Sequence, residues 1–208
     1  LKGVFLTHAH IGHYTGLVNF GNEVMESNNM PVYSMKKMGN FIRSNAPWNQ
    51  LVKNKNIDLK ILENGSNIEL ANGLNITPLL VPHRDENSET VGYKIASKNK
   101  SLVFIPDIDK WHKWSTSITE LIKQVDYAFL DATFYKNGEL KRDMSKIPHP
   151  LVEESMALFS ELSKENKKKV YFIHFNHTNP LLQEGSKAQK EVVKKGFNFS
   201  KEGEIIDL

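Results

Sequence analysis

The chain has 208 residues, 39% of them hydrophobic and 25% charged, an ordinary balance for a soluble globular domain with one sizeable core or two closely joined halves. No apolar run approaches the roughly 20 residues of a membrane helix, and the absence of cysteine removes disulfides, thiolate zinc sites and cysteine nucleophiles together. The net charge of +3 is spread over scattered lysines with only Arg43, Arg84 and Arg142 as arginines, so no basic stripe points to nucleic acid.

The chain opens on Val4-Phe5-Leu6, which reads as a buried strand. A helix is expected after the histidines that follow, from Leu17, Phe20, Gly21 and Val24 at i, i+3, i+4, i+7 spacing. Pro31-Val32-Tyr33 begins another strand, and residues 37–43 a helix that ends before Asn45-Ala46-Pro47. Ile57 to Leu62 alternates with period two and reads as a half-buried strand opening an antiparallel meander. Asn64-Gly65 and Asn72-Gly73 are its hairpin turns, and residues 68–70, 74–81, 91–95 and 102–105 its further strands.

Helix–strand alternation then returns. A helix is expected over 115–124 and a strand over 127–130. Pro150 suits the first turn of a helix with Leu151, Ser155, Leu158 and Leu162 on one face. A buried strand over 170–173 and a last helix over 186–195, stopped by Gly196, complete the layered α/β pattern of one compact unit.

Five polar residues share one position: His8, His83, Asp107, Asp131 and His174 each lie at or just past the end of an apolar run. There a rigid strand hands a side chain to a cleft. In Thr7-His8-Ala9-His10-Ile11-Gly12-His13, two histidines two apart point the same way in extended backbone, and a third approaches from the turn that follows. Imidazoles in such a cluster suit zinc, iron and related metals and leave coordination positions open. His177, His149 and Asp131 form a second tier: two loop histidines able to line the cleft, and an acceptor able to fix a histidine tautomer. Trp111 and Trp114 follow Asp107 and belong either to the core or to the wall of a pocket.

The histidine cluster resembles the His-x-His-x-(Asp)-His signature of metallo-β-lactamase-fold hydrolases. Within that superfamily the chain resembles the pyrroloquinoline quinone biosynthesis protein B-like group. Val81-Pro82-His83-Arg84-Asp85-Glu86 with Glu89-Thr90-Val91-Gly92, Leu130-Asp131-Ala132-Thr133-Phe134, and Ile173-His174-Phe175-Asn176-His177-Thr178-Asn179-Pro180 carry this second resemblance. It implies a four-layer αβ/βα sandwich over residues 1–208 as a single domain, N-terminally truncated because the first sheet would begin with strands upstream of Leu1. By the same resemblance His8, His10 and His83 hold one metal, His13 and His174 a second, and Asp107 bridges them. Gly12 stands where the family has aspartate and supplies no donor, so occupancy by one ion is expected beside occupancy by two.

The activity implied is hydrolysis of a small ester, lactone or amide by a metal-activated water, with zinc first and iron or manganese as alternatives. Asp107 would position the water, and His13 or His174 would act as acid or base. The quinone-biosynthesis group implies instead an iron-dependent, oxygen-using hydroxylase, and the loss of the aspartate a non-catalytic metal-binding relic. A small-molecule substrate is expected, no nucleic acid or membrane, and association through the edge of the first sheet, as aggregation or as a homodimer. The cytoplasm is the expected compartment, an upstream targeting segment being left open.

Overall fold

A computed structural model describes residues 1–208. Two compact units make up the chain: Leu1–Ser66 with Pro78–Leu80 and Asp85–Val91, and Asn67–Thr77 with Val81–Arg84 and Gly92–Leu208.

In the first unit β1 (Val4–Phe5), β2 (Met30–Met35) and β3 (Ile57–Leu62) form a parallel sheet in that order. Parallel neighbours need a long crossover, and α1 (Lys36–Ser44) and α2 (Trp48–Lys53) supply it between β2 and β3. Their pairing runs from Met30 opposite Ile57 to Met35 opposite Leu62. This corrects the expectation that residues 57–62 open the antiparallel meander; alternation reports a half-buried strand but not the direction of its partner. The amides of Lys37 and Met38 at the start of α1 donate to the Glu89 carboxylate, so an anion meets the free N–H groups of a helix N-terminus. Leu6, Tyr14, Leu17, Val32, Met38, Ile42 and Leu59 lie in the core of this unit.

Two further corrections fall here. Val4 and Phe5 are half-buried, not fully buried, and Phe5 covers its exposed side by stacking on Tyr33 at 4.2 Å between ring centroids. The helix expected after the histidines is a pair of 3-10 turns, Ile11–His13 and Thr15–Phe20. Gly12, Gly16 and Gly21 depress helix propensity, and Gly21 is extended at ψ 171°. Leu17 and Phe20 are buried as expected, but Val24, beyond that break, is 66% exposed.

The other sheet has seven strands in the order β10-β9-β8-β7-β6-β5-β4. In chain order these are β4 (Ile68–Glu69), β5 (Asn75–Leu80), β6 (Val91–Ala96), β7 (Ser101–Ile105), β8 (Tyr127–Asp131), β9 (Val170–Ile173) and β10 (Asn198–Phe199). The β4/β5 and β6/β7 pairs are antiparallel, and β7 to β10 are parallel. Asn72 and Gly73 both have positive φ, 66° and 75°, as the tight connection between β4 and β5 requires. Gly92 is needed for close packing, since a Cβ there would lie 2.8 Å from both Ile105 Cγ1 and Phe104 O.

Helices α3 (Ile118–Lys123), α4 (Val152–Leu158), α5 (Lys164–Lys167) and α6 (Lys187–Lys194) complete the second unit. Ser117 and Ser186 cap α3 and α6, each accepting the amide three residues on, and Gly196 at φ 89° ends the last turn. In α4 the buried face is Val152, Ser155 and Met156, whereas Leu158 is 46% exposed. Of the expected face, Leu151, Ser155 and Leu162 are buried and only Leu158 is not; Leu151 itself precedes the helix as an extended residue at ψ 150°. No helix is long and apolar enough to cross a membrane.

Candidate metal centre

In the first unit the chain leaves β1 as a pinned extended segment. The Leu6 amide donates to Tyr33 O, Thr7 O accepts from the Val91 amide, and the Ala9 amide donates to Ser88 Oγ. His8, 1% exposed, and His10, extended at ψ 138°, therefore come from rigid backbone two residues apart. Their facing nitrogens, His8 Nε2 and His10 Nδ1, lie 2.8 Å apart. The short turn Ile11–His13 returns the chain, and the His13 ring comes to 4.3 Å from that of His8. On their far sides, His8 Nδ1 is 3.1 Å from Thr7 Oγ1 and His10 Nε2 is 3.3 Å from Glu86 Oε2.

The second unit gathers its own set around Asp107, which is 2% exposed and two residues beyond β7. One carboxylate oxygen is 3.7 Å from His83 Nε2 and 3.4 Å from His149 Nδ1; the other is 3.3 Å from His174 Nε2. The His83 side chain is fully buried. Donor atoms of His83, Asp107 and His149 all lie within 4.8 Å of one another. His174 follows β9 with φ 63°, a left-handed conformation uncommon outside glycine, and this turns its ring toward Asp107.

Asp131, the last residue of β8 and wholly buried, organises these rings. Its Oδ2 accepts the Ile108 amide at 3.1 Å and faces His149 Nδ1 at 2.7 Å; its Oδ1 accepts the Thr133 amide and hydroxyl. An ionised carboxylate only accepts, so the Thr133 hydroxyl hydrogen is committed to Asp131. Thr133 Oγ1 must then accept from His174 Nδ1–H, 2.9 Å away. In the neutral ring that leaves the lone pair on His174 Nε2, the nitrogen beside Asp107. Burial disfavours charge on His149, but Asp131 and then Asp107 outweigh it and hold its pKa above the ordinary histidine value.

Imidazole nitrogens and carboxylate oxygens are the donors that zinc and other first-row divalent ions take. His83, Asp107 and His149 offer a donor set that fits such an ion, and His8, His10 and His13 offer donors of the same kind, all without cysteine.

Residues 1–175 match the family described as Beta-lactamase superfamily domain. The chain belongs to this family. Coenzyme PQQ synthesis protein B of Gluconobacter oxydans is 24% identical over 154 residues, covering 67% of this chain and 50% of that protein. The chain thus spans about half the length of that relative. Zn(2+)-bound PqqB from Methylobacterium extorquens superposes with a TM-score of 0.82 at 19% identity, over all of this chain and 73% of that one. Isothiocyanate hydrolase from Delia radicum gut bacteria does so at 0.65 and 13%, over all of this chain and 77% of that one. The α/β fold expected from the sequence, the metallo-β-lactamase sandwich, is the fold of this chain.

Against the superfamily pattern, Gly12 is exposed and the space about its absent side chain is open for 4 Å. Of the second-tier residues, His149 and Asp131 lie in the cluster around Asp107, whereas His177 is exposed. Trp111 is buried and donates its indole N–H to Ser155 Oγ at 2.9 Å. With Trp114, Ile118, Ile147 and Pro150 it also lines a cavity of about 770 Å³. The structure sets His149 beside Asp107 and Asp131, and Thr133 beside His174. The visible signals were a histidine clamped between Pro148 and Pro150, and a hydroxyl two residues after Asp131.

Proposed function

We propose that this metallo-β-lactamase-family chain is a metal-dependent hydrolase of a small ester, lactone or amide. In this reading His8, His10 and His13 of the first unit and His83, Asp107 and His174 of the second are the ligands for one or two divalent ions, zinc first. Membership of the family supports it, and the observation that carries it is the buried Asp107 carboxylate with three imidazoles 3.3 to 3.7 Å away. A bound divalent ion lowers the pKa of a coordinated water to about 7 and so supplies a hydroxide near neutrality.

The chain's own residues do the rest. Asp107 accepts a hydrogen bond from the attacking water and so orients it toward the substrate carbonyl. Thr133 holds the His174 tautomer that presents Nε2. His149, favoured in its protonated form by Asp131 and Asp107 against its burial, gives a proton to the departing oxygen or nitrogen. His13 is the second candidate for acid–base work, where it is not a ligand.

Elemental analysis of protein purified without added metal, followed by hydrolysis assays on esters, lactones and amides, tests this. Stoichiometric zinc with turnover that chelation abolishes is expected; full turnover in metal-free protein contradicts the reading.

Similarity to coenzyme PQQ synthesis protein B supports a second reading, the iron-dependent, oxygen-using hydroxylase that the sequence resemblance implies. Anaerobic reconstitution with Fe(II) and measurement of oxygen uptake separates it from the first. Metal binding with neither activity identifies a non-catalytic relic.

A further inference from the structure

Glu86 ends the stretch 81–86 that, with 89–92, helps carry the family resemblance; it lies in the loop 85–90, and nothing in the hydrolytic reading uses it. Several bonds anchor this loop. Thr90 Oγ1 donates to Asp85, Ser88 Oγ accepts the Ala9 amide and donates to Glu89 O, and the Glu89 carboxylate accepts the Lys37 amide. Glu86 is held between these anchors, with Oε2 3.3 Å from His10 Nε2.

An ionised carboxylate has no hydrogen to give, so a hydrogen bond in this pair places the hydrogen on His10 Nε2. In the neutral ring Nδ1 then carries the lone pair, and Nδ1 is the atom that faces His8 Nε2 at 2.8 Å. At the other end of the chain of contacts, Thr7 Oγ1 beside His8 Nδ1 is a hydroxyl that can donate or accept. Of the two outer partners, only Glu86 dictates a tautomer.

We propose that Glu86 is a positioning residue for His10, holding it as the Nε2–H tautomer so that Nδ1 is the nitrogen offered to the metal. This rests on the metal-centre reading above. Carboxylates that take the second N–H of a ligating histidine fix ring orientation and raise ligand basicity. With side chains 55% and 23% exposed, Glu86 and His10 gain little folding stability from their pair, so its consequence is in ligand geometry.

The test uses the full chain and the variants Glu86→Ala and Glu86→Gln. Zinc affinity is measured by competition with a chromophoric chelator, and the His10 tautomer in metal-free protein by long-range proton–nitrogen NMR. Glu86→Ala is expected to weaken zinc binding roughly 10- to 100-fold and to lower the Nε2–H population of His10, with the melting midpoint of metal-free protein unchanged. Glu86→Gln keeps an acceptor and should fall between parent and Glu86→Ala on both readouts. Parental zinc affinity together with an unchanged His10 tautomer in Glu86→Ala overturns the proposal. A parent that binds no zinc defeats the metal-centre reading instead, while an unchanged tautomer in metal-free Glu86→Ala still defeats the role given to Glu86.

Discussion

Asp131 Oδ2 lies 2.7 Å from His149 Nδ1, across 18 residues of sequence, and the same carboxylate accepts the amides of Ile108 and Thr133. Four donors therefore depend on one wholly buried side chain, the Thr133 hydroxyl being the fourth. In Asp131→Asn an amide NH₂ must face donors whichever way it turns. The expected cost is about 1–3 kcal/mol, read as a lower urea midpoint with unchanged slope. A loss below about 0.5 kcal/mol, the range of an unremarkable surface change, contradicts the role given to Asp131.

Gly12→Asp should fold like the parent, because the Gly12 site is exposed and open for 4 Å. If the missing carboxylate is what weakens a second ion site, metal content should rise from about one ion per chain toward about two, the number used in two-metal hydrolases. Elemental analysis decides it. Unchanged content in the folded variant, or two tightly held ions in the parent, contradicts the account.

Chelation should lower the melting midpoint, because an ion bound by the folded chain alone adds stability. At a free concentration 100 times its Kd the gain is about 2.7 kcal/mol. Asp107→Asn, which neutralises the carboxylate among His83, His149 and His174, should lose most of the chelator-sensitive shift. Differential scanning calorimetry with and without EDTA measures both. An equal shift in parent and variant removes Asp107 from the ligand set.

Gly92→Ala tests the packing of the seven-stranded sheet. The added methyl would lie 2.8 Å from Ile105 Cγ1 and from the Phe104 carbonyl oxygen. Ile105 is fully buried and the carbonyl is backbone, so neither yields easily. A destabilisation of about 1–3 kcal/mol is expected, and a neutral substitution in a denaturant melt would show that the sheet adapts there.

The sequence by itself determined the features that local physics controls. Short apolar runs ending in His8, His83, Asp107, Asp131 and His174 announced strands delivering polar side chains, and positive-φ turns announced themselves at Asn72-Gly73 and Gly196. Tertiary structure decided what depends on a partner far along the chain. Ile57–Leu62 alternates like any half-buried strand, and only its pairing with β2 makes it parallel. Leu17 and Phe20 keep helical spacing, yet the chain buries them through 3-10 turns. His149 looked like a loop histidine until the path of the loop set it on Asp131, and the tautomer of His174 is fixed by Thr133, 41 residues away. Hydrophobic period is written into consecutive residues, whereas a hydrogen-bond partner is chosen by where two separate backbones meet.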